Sequence, residues 1–392
     1  MKTLLVTAAA ALLAVPVAAQ SDSPPSQPLP ERSTVRTEAG TLQMQVIARG
    51  LEHPWAVALL PDRQALVTER NSGRLLVVNT ADGSRRAVSG VPQIFRFKGE
   101  TGRSQAGLFD VKLHPGFAQN RLVYLSLSAP TERGATLKIV RGRLVDERGS
   151  ARLEDVTDIF SLQEDDQDSS GLHFGGRMAI HAPTNALFLT VGDRRNISRA
   201  QDGEDQAGSI LRMTLDGDVH PDNPHRGEGD INDYIFAMGS RNSQALTLDS
   251  RGRLWSVEHG PQRGDRVDLV RSGANLGWPF ITGGRDYSDA PIGVGLSHPG
   301  MTSPLHVFAE TIAPSGAAFY DAAALPAWRG NMLVGGLYNQ ALVRVVVDGE
   351  RVAAVHTVPV GRRIRDVQVA PDGSIWMVTE HADGELVRLS AR

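Results

Sequence analysis

His173 lies among glycines in Gly171-Leu172-His173-Phe174-Gly175-Gly176-Arg177, and the next apolar run ends on Asp193, in Thr190-Val191-Gly192-Asp193. An imidazole accepts a proton near neutral pH, and a carboxylate on one of its nitrogens fixes the tautomer and raises the basicity of the other. Brought together at the mouth of a fold, the two residues would form a general-base pair. A histidine among glycines is also an ordinary structural or exposed residue, so the surrounding elements decide between these readings. Three other polar sets have chemical potential. Arg241-Asn242-Ser243-Gln244 follows the strand-like Ile235-Phe236-Ala237-Met238-Gly239 and has the character of a channel mouth or of an exposed turn. Glu258-His259-Gly260-Pro261 ends Leu254-Trp255-Ser256-Val257, and the carbonyls of Gly260 and Pro261 suit a hard cation such as calcium. In an extended stretch Arg363 and Arg365 share a face, shaped to grip carboxylates bidentately, unless they form a solvated basic edge or pair with Asp366. Gln105, in Ser104-Gln105-Ala106-Gly107-Leu108, is by itself a turn residue.

The elements that must position these residues repeat. Strand-like runs and turns such as Pro371-Asp372-Gly373 recur in six copies: Ala56–Val78, Phe109–Leu127, Met178–Leu215, Ala245–Leu269, Ala317–Val347 and Val367–Leu389. β-branched and aromatic residues alternate along the runs, and helical periodicity is scarce after residue 40. A period of roughly 50–65 residues with three or four short strands points to propeller blades. The expected fold is therefore all-β, a six-bladed β-propeller of four-stranded antiparallel blades over residues 41–392. A barrel or sandwich would not return such turns at this period. A propeller gathers polar loops from distant blades around one axis. Trp55, Trp255, Trp278, Trp328 and Trp376 recur at blade-like positions and read as core.

Met1-Lys2-Thr3, the apolar run to Ala19 and the small residues Val17-Ala18-Ala19 have the pattern of a secretory signal peptide over residues 1–19, cut after Ala19, with a periplasmic destination. The Pro/Ser-rich stretch over residues 20–40 is expected to be a flexible leader. No later run is long and apolar enough to span a bilayer, so no membrane insertion is expected after cleavage. There is no cysteine, and the net charge of −3 with interspersed signs gives no footprint for nucleic acid.

Taken in order, Leu51-Glu52-His53-Pro54-Trp55, Leu113-His114-Pro115, Val191-Gly192-Asp193, Ser240-Arg241-Asn242, Glu258-His259-Gly260-Pro261, Asn275-Leu276-Gly277-Trp278-Pro279, Ala313-Pro314-Ser315-Gly316 and Arg363-Ile364-Arg365-Asp366-Val367 resemble the PQQ-dependent aldose sugar dehydrogenases, the soluble glucose dehydrogenase-like propellers, over about Leu51 to Leu389. The resemblance implies His173 as catalytic base, Asp193 as its orienting carboxylate, and Arg241 and Asn242 beside the reactive carbonyls of PQQ. It implies Arg363 and Arg365 on the cofactor's carboxylates, Gln105 as a further contact, and the Gly260 and Pro261 carbonyls on the cofactor calcium. The implied reaction passes a proton from an aldose anomeric hydroxyl to His173 and a hydride to the quinone C5, giving an aldonolactone. Calcium and Arg241 would assist. The electron acceptor is not named by the sequence. Three positions depart from the family pattern. Tyr338 stands where a lysine is usual, Leu276 where a tyrosine is usual, and Arg266 where a glutamate would hold a second, structural calcium, so that second calcium is expected to be absent unless Asp265 or Asp268 substitutes. A calcium-dependent lactonase and a non-catalytic ligand-binding propeller are the alternatives; the paired arginine face suits a polyanion better than the carboxylate centre a lactonase requires.

Overall fold

The computed structural model describes residues 26–98, 102–147 and 149–391, so the expected signal peptide lies outside the described residues. The described chain is all-β apart from the four-residue helix Phe117–Asn120 and short 3-10 turns. Its strands form five sheets of four to eight strands. The eight-stranded sheet consists of two antiparallel runs of four strands. They join only where Val88 and Ser89 of Arg85–Ser89 pair in parallel with Ala151 and Arg152 of Ser150–Ser161. The leading strands Pro54–Leu60, Leu108–Leu113, Met178–His181, Ser243–Leu248, Pro314–Tyr320 and Ile364–Val369 each touch the next in that order, and the last touches the first, closing a ring.

Strand position explains composition. Second strands such as Ala186–Val191 and Ile375–Thr379 are buried throughout and read as unbroken apolar or β-branched runs. Outer strands such as Arg351–Pro359 are largely exposed or half-buried and mix polar with apolar residues. The Pro371-Asp372-Gly373 turn works as its residue types require: Asp372 Oδ1 accepts from the Ser374 amide at 2.9 Å, and Gly373 takes φ 82°. The core lies between neighbouring sheets. One cluster packs Trp55, Leu66, Phe109, Tyr124, Met178 and Leu187 together from three successive units.

The leader expectation needs correction. Arg32–Thr37 forms a strand paired with Gly40–Leu51, which in turn pairs with the C-terminal strand Gly384–Ala391. Leu29 and Val35 are buried in a cluster with residues of the last two sheets, so even this polar stretch holds enough apolar surface to dock. The ordered domain thus begins before residue 41.

At the ring's centre, the buried guanidinium of Arg177 reaches three other leading strands. Nη1 meets Asp366 Oδ1 at 3.0 Å, Nη2 donates to the Arg365 carbonyl at 2.6 Å, Nε donates to the Gln244 carbonyl at 2.8 Å, and the group stacks 3.8 Å from the Trp55 ring. Asp366 Oδ2 accepts from the Val57 amide at 2.9 Å. Replacing Arg177 with Met should therefore leave the buried Asp366 carboxylate without its cation and two carbonyls without this donor, and cost about 3–5 kcal/mol in urea unfolding of the apoprotein. A loss below about 1 kcal/mol, the scale of one ordinary hydrogen bond, would show that the ring closes without this group.

Candidate active site

The turn carrying His173 is built on glycines. A Cβ on Gly192 would lie 2.1 Å from the His173 carbonyl, and one on Gly175 would lie 2.4 Å from the Thr190 carbonyl, so only glycine lets the two backbones approach this closely. His173 itself adopts φ 49°, an unusual left-handed conformation for a side-chain-bearing residue. Its amide donates to Gln105 Oε1 at 2.8 Å, and the Gln105 amide donates to the Gly171 carbonyl at 2.8 Å. The lone turn glutamine thus fixes the histidine loop.

His173 Nδ1 lies 2.6 Å from Asp193 Oδ1. The Arg195 amide donates to the same oxygen at 2.9 Å, and the indole Nε1 of Trp278 donates to Oδ2 at 2.9 Å. Asp193 serves as an acceptor in all three contacts. With Nδ1–H given to the carboxylate, Nε2 becomes the basic nitrogen. Burial, with Arg241 adding to it, pulls His173 down to about 4 against the opposing pull of Asp193. Burial disfavours the charge on Asp193, yet His173, their hydrogen bond and Arg241 hold its carboxyl below the usual range. At neutral pH the pair is therefore a neutral imidazole beside an ionised carboxylate, the state a general base requires.

Arg241 and Asn242 belong to the same constellation. The Asp193 amide donates to the Arg241 carbonyl at 2.8 Å, and Arg241 Nη1 donates to the carbonyls of His259 at 3.2 Å and Gly260 at 2.9 Å. Asn242 Oδ1 accepts from the Gly175 amide at 3.2 Å. Gln244 links the two halves of the site: Nε2 donates to the Gly175 carbonyl at 3.0 Å, while Oε1 accepts from Arg365 Nη1 at 3.4 Å. Gly260 sits in a tight turn, its amide held by Asp265 Oδ1 at 3.0 Å, and Pro261 packs on Gly284.

The arginine pair does not take up the alternative of pairing with Asp366, because Asp366 is held by Arg177. Arg365 Nε pairs with the buried carboxylate of Glu380, which also meets Arg70 Nη2 at 2.9 Å. Burial opposes the charge on Glu380, but Arg365 and Arg70 hold it well below the usual carboxylate range. Half-buried Arg363 donates to the Leu337 carbonyl at 3.3 Å, next to exposed Tyr338. Three guanidinium groups thus gather around one carboxylate, an excess of positive charge that fits a polyanion. Gly260 and Pro261 can offer a cation only neutral carbonyls, one of them already accepting from Arg241, so a calcium ion there would need an anionic co-ligand. Among the described residues no three His, Cys, Asp or Glu side chains gather as a metal site. At the position expected to hold a glutamate, Arg266 bridges Glu258 at 3.0 Å and Asp268 at 3.1 Å, while both Asp265 oxygens are engaged by backbone amides.

Trp278 is buried, as a core tryptophan should be, but its indole N–H also donates to Asp193. Glu380 and Arg70 were not singled out from the sequence. A signal for Glu380 existed: a carboxylate ends the second strand or follows it within two residues in Gln64–Glu69, Ala186–Val191 with Asp193, Leu254–Glu258, and Ile375–Thr379 with Glu380.

The titration of His173 is directly testable. Its ring in the apoprotein should stay neutral until about pH 4, as followed by NMR of the imidazole. Because the unfolded ring binds its proton near the ordinary value of 6.5, stability from this group is full above that pH and is lost as pH falls towards about 4. A midpoint between pH 6 and 7 would mean that the ring is solvated.

Comparison with known proteins finds relatives and solved structures named as sugar dehydrogenases. The Glucose / Sorbosone dehydrogenase family model matches residues 51–388. Aldose sugar dehydrogenase YliI of Escherichia coli is 33% identical over 359 residues, covering 90% of this chain and 94% of the relative. A glucose dehydrogenase crystal structure aligns with TM-score 0.83 at 37% identity over 89% of this chain and 99% of its own. The PQQ-bound aldose sugar dehydrogenase of Streptomyces coelicolor aligns with TM-score 0.73 at 25% identity over 88% of this chain and 97% of its own.

Proposed function

The chain belongs to the glucose/sorbosone dehydrogenase family, and from that premise we propose that it oxidises aldose sugars at the anomeric carbon in a PQQ- and calcium-dependent reaction with His173 as base. The observation that carries the assignment of the base is the buried relay Trp278–Asp193–His173, which engages Nδ1 and leaves Nε2 of a neutral ring within the field of Arg241. PQQ, when bound, supplies the two-electron oxidant for the anomeric carbon, and the product class is an aldonolactone.

The chain's own residues do the rest. His173 Nε2 takes the proton of the anomeric hydroxyl, and Asp193 stabilises the imidazolium that forms and holds the ring in place. Arg241, buried and anchored on the Gly260 carbonyl, keeps a fixed positive charge near the base, which lowers the cost of negative charge developing in the cleft. Arg363 and Arg365, with Arg70 behind them, would hold the carboxylates of PQQ, and Gln105 and Asn242 would add contacts. The Gly260 and Pro261 carbonyls would hold calcium together with the cofactor. Six four-stranded blades around one axis are part of this reading, supported by the closed ring of leading strands and by the single short junction within the eight-stranded sheet. Export to the periplasm through the N-terminal segment belongs to the same proposal.

Purified apoprotein mixed with PQQ and calcium should reduce an artificial dye with aldoses in a saturable manner, and His173→Ala should abolish turnover while retaining PQQ. Failure to bind PQQ would sink the proposal, and tight binding without turnover would leave a cofactor-binding protein that is not a dehydrogenase. In Arg363→Ala with Arg365→Ala, PQQ affinity should fall roughly tenfold or more, the scale of a lost hydrogen bond to a charged group. Unchanged affinity in a fluorescence titration would move the carboxylate site elsewhere.

A further inference from the structure

Glu258, Arg266 and Asp268 form a buried charged group that the proposed reaction does not use. Glu258 ends Leu254–Glu258, Arg266 opens Arg266–Val270, and the two residues are partners in the antiparallel register. Arg266 Nη2 lies 3.0 Å from Glu258 Oε1, and Nε lies 3.1 Å from Asp268 Oδ2. Desolvating buried ions offsets much of their attraction, so what such a pair fixes matters more than what it stabilises.

This pair grips one turn. Glu258 Oε2 accepts from the Arg241 amide at 2.6 Å and from the Ser240 hydroxyl, and Arg266 Nη2 donates to the Gly239 carbonyl at 3.4 Å. Three consecutive residues, Gly239-Ser240-Arg241, are thus held by two side chains of the following sheet. Asp268 behaves differently. Both of its buried oxygens are without a hydrogen-bond partner among the described residues. Burial pushes its acid up to about 7, so at neutral pH Arg266 belongs mainly to Glu258.

Two routes run from the turn to Asp193. The Arg241 carbonyl accepts from the Asp193 amide at 2.8 Å, which fixes the backbone of the aspartate. The Gly239 carbonyl accepts from the Trp278 amide at 2.9 Å, and the Trp278 indole donates to Asp193 Oδ2 at 2.9 Å, which fixes its carboxylate. Arg266 secures the second route from its far side as well: Nη1 donates to the Ile281 carbonyl at 3.3 Å, and the Ile281 amide donates to the Gly277 carbonyl at 2.8 Å, so the tryptophan lies inside a fastened loop. The guanidinium of Arg241, whose charge acts on His173, springs from the same turn.

We propose that the buried Glu258–Arg266 pair is the positioning element of the base, holding Asp193 at its backbone and at its carboxylate by way of Gly239-Ser240-Arg241 and Trp278. Both residues act through Arg241, Trp278 and Asp193. The catalytic consequence rests on the dehydrogenase reading, whereas the geometric one is a property of the apoprotein. Loosening the grip lets Arg241 leave the neighbourhood of the ring and lets Trp278 release part of the charge on Asp193. Arg241 lowers the pKa of His173 and Asp193 raises it, so both changes move the ring up from about 4.

Three variants test this. Arg266→Lys keeps a buried cation for Glu258, but one ammonium group cannot span Glu258, Gly239 and Ile281 as the guanidinium fork does. Arg266→Met with Asp268→Leu removes the cation together with one acid. Asp268→Asn is the control, since it changes the buried charge and leaves the grip on the turn. In NMR of the apoprotein the His173 midpoint should rise by about one pH unit or more in the first two variants. The Trp278 indole N–H should exchange with solvent about tenfold faster or more, the scale of a weakened hydrogen bond to a charged group. Asp268→Asn should match the wild type in both. Because Arg266→Lys retains the charge, a rise there reports geometry and not a lost field. With PQQ, calcium and an aldose, kcat should fall about a hundredfold in the first two variants without a matching rise in KM, the scale of a reacting group displaced by about 1 Å. A midpoint that stays near 4 with wild-type indole exchange in folded variants would overturn the proposal and leave a core ion pair. So would equal changes in Asp268→Asn, which would assign the effect to buried charge. Should the double variant fail to fold, Arg266→Lys alone decides. If the wild type oxidises no aldose, the dehydrogenase reading fails, and the apoprotein titration and exchange still decide whether the pair positions Asp193.

Discussion

Arg177 is the group on which both ring and site depend. Its guanidinium is fully buried, so its hydrogen-bonding capacity must be met inside the protein, and the partners available are the carbonyls of Arg365 and Gln244 and the carboxylate of Asp366. Burial pushes Asp366 up towards protonation, opposed first by Arg177, and burial pulls Arg177 down while Asp366 raises it. Both shifts show desolvation working against the pair. Such a pair is a poor source of net stability compared with apolar packing, but it penalises any arrangement that leaves one partner alone. It therefore sets how the strands meet, and it does so four residues from His173.

The site inherits this geometry. Arg177 ends the glycine turn that aims His173, its Nη2 holds the backbone of Arg365, and its Nε holds the backbone of Gln244. Gln244 then touches both the Gly175 carbonyl on the base side and Arg365 on the anion side. The His173 turn and the Arg365 cluster are thus connected through the side chains of Gln244 and Arg177. Preorganisation of this kind is what lets a fixed positive charge such as Arg241 act on a developing negative charge without reorganising.

The division of charge follows a similar logic. Glu380 neutralises part of the Arg70, Arg363 and Arg365 cluster and leaves a surplus for a ligand. Without Glu380 three guanidinium groups would repel one another in a half-buried space; with a second carboxylate the surplus would be largely gone. Arg266 solves a comparable problem between Glu258 and Asp268, where a protein cation sits between two buried acids.

The all-β character, the repeating strand pairs and most of the polar residues of the site were legible in the sequence, because period-two burial, Asp-Gly turns and the motifs at strand ends are local features. His173 with Asp193 and Arg241 with Asn242 could be singled out because each lies beside a recognisable strand–turn unit, whereas Gln105, by itself a turn residue, was named only through the family resemblance. Other features depended on long-range contacts. That Arg365 pairs with Glu380 and Asp366 with Arg177 follows from which strands meet at the ring's centre. That Trp278 is a hydrogen-bond donor to Asp193 as well as a core residue depends on a contact between loops far apart in the chain. The docking of Arg32–Thr37 was hidden because its one large apolar side chain, Val35, finds its partners among residues of the last two sheets, far away in sequence. Sequence by itself determined which residue types stand at each strand end, since local backbone preference and burial period act over a few residues. Tertiary structure alone decided which charge meets which, because desolvation makes a buried ion take the partner that ring closure brings within reach.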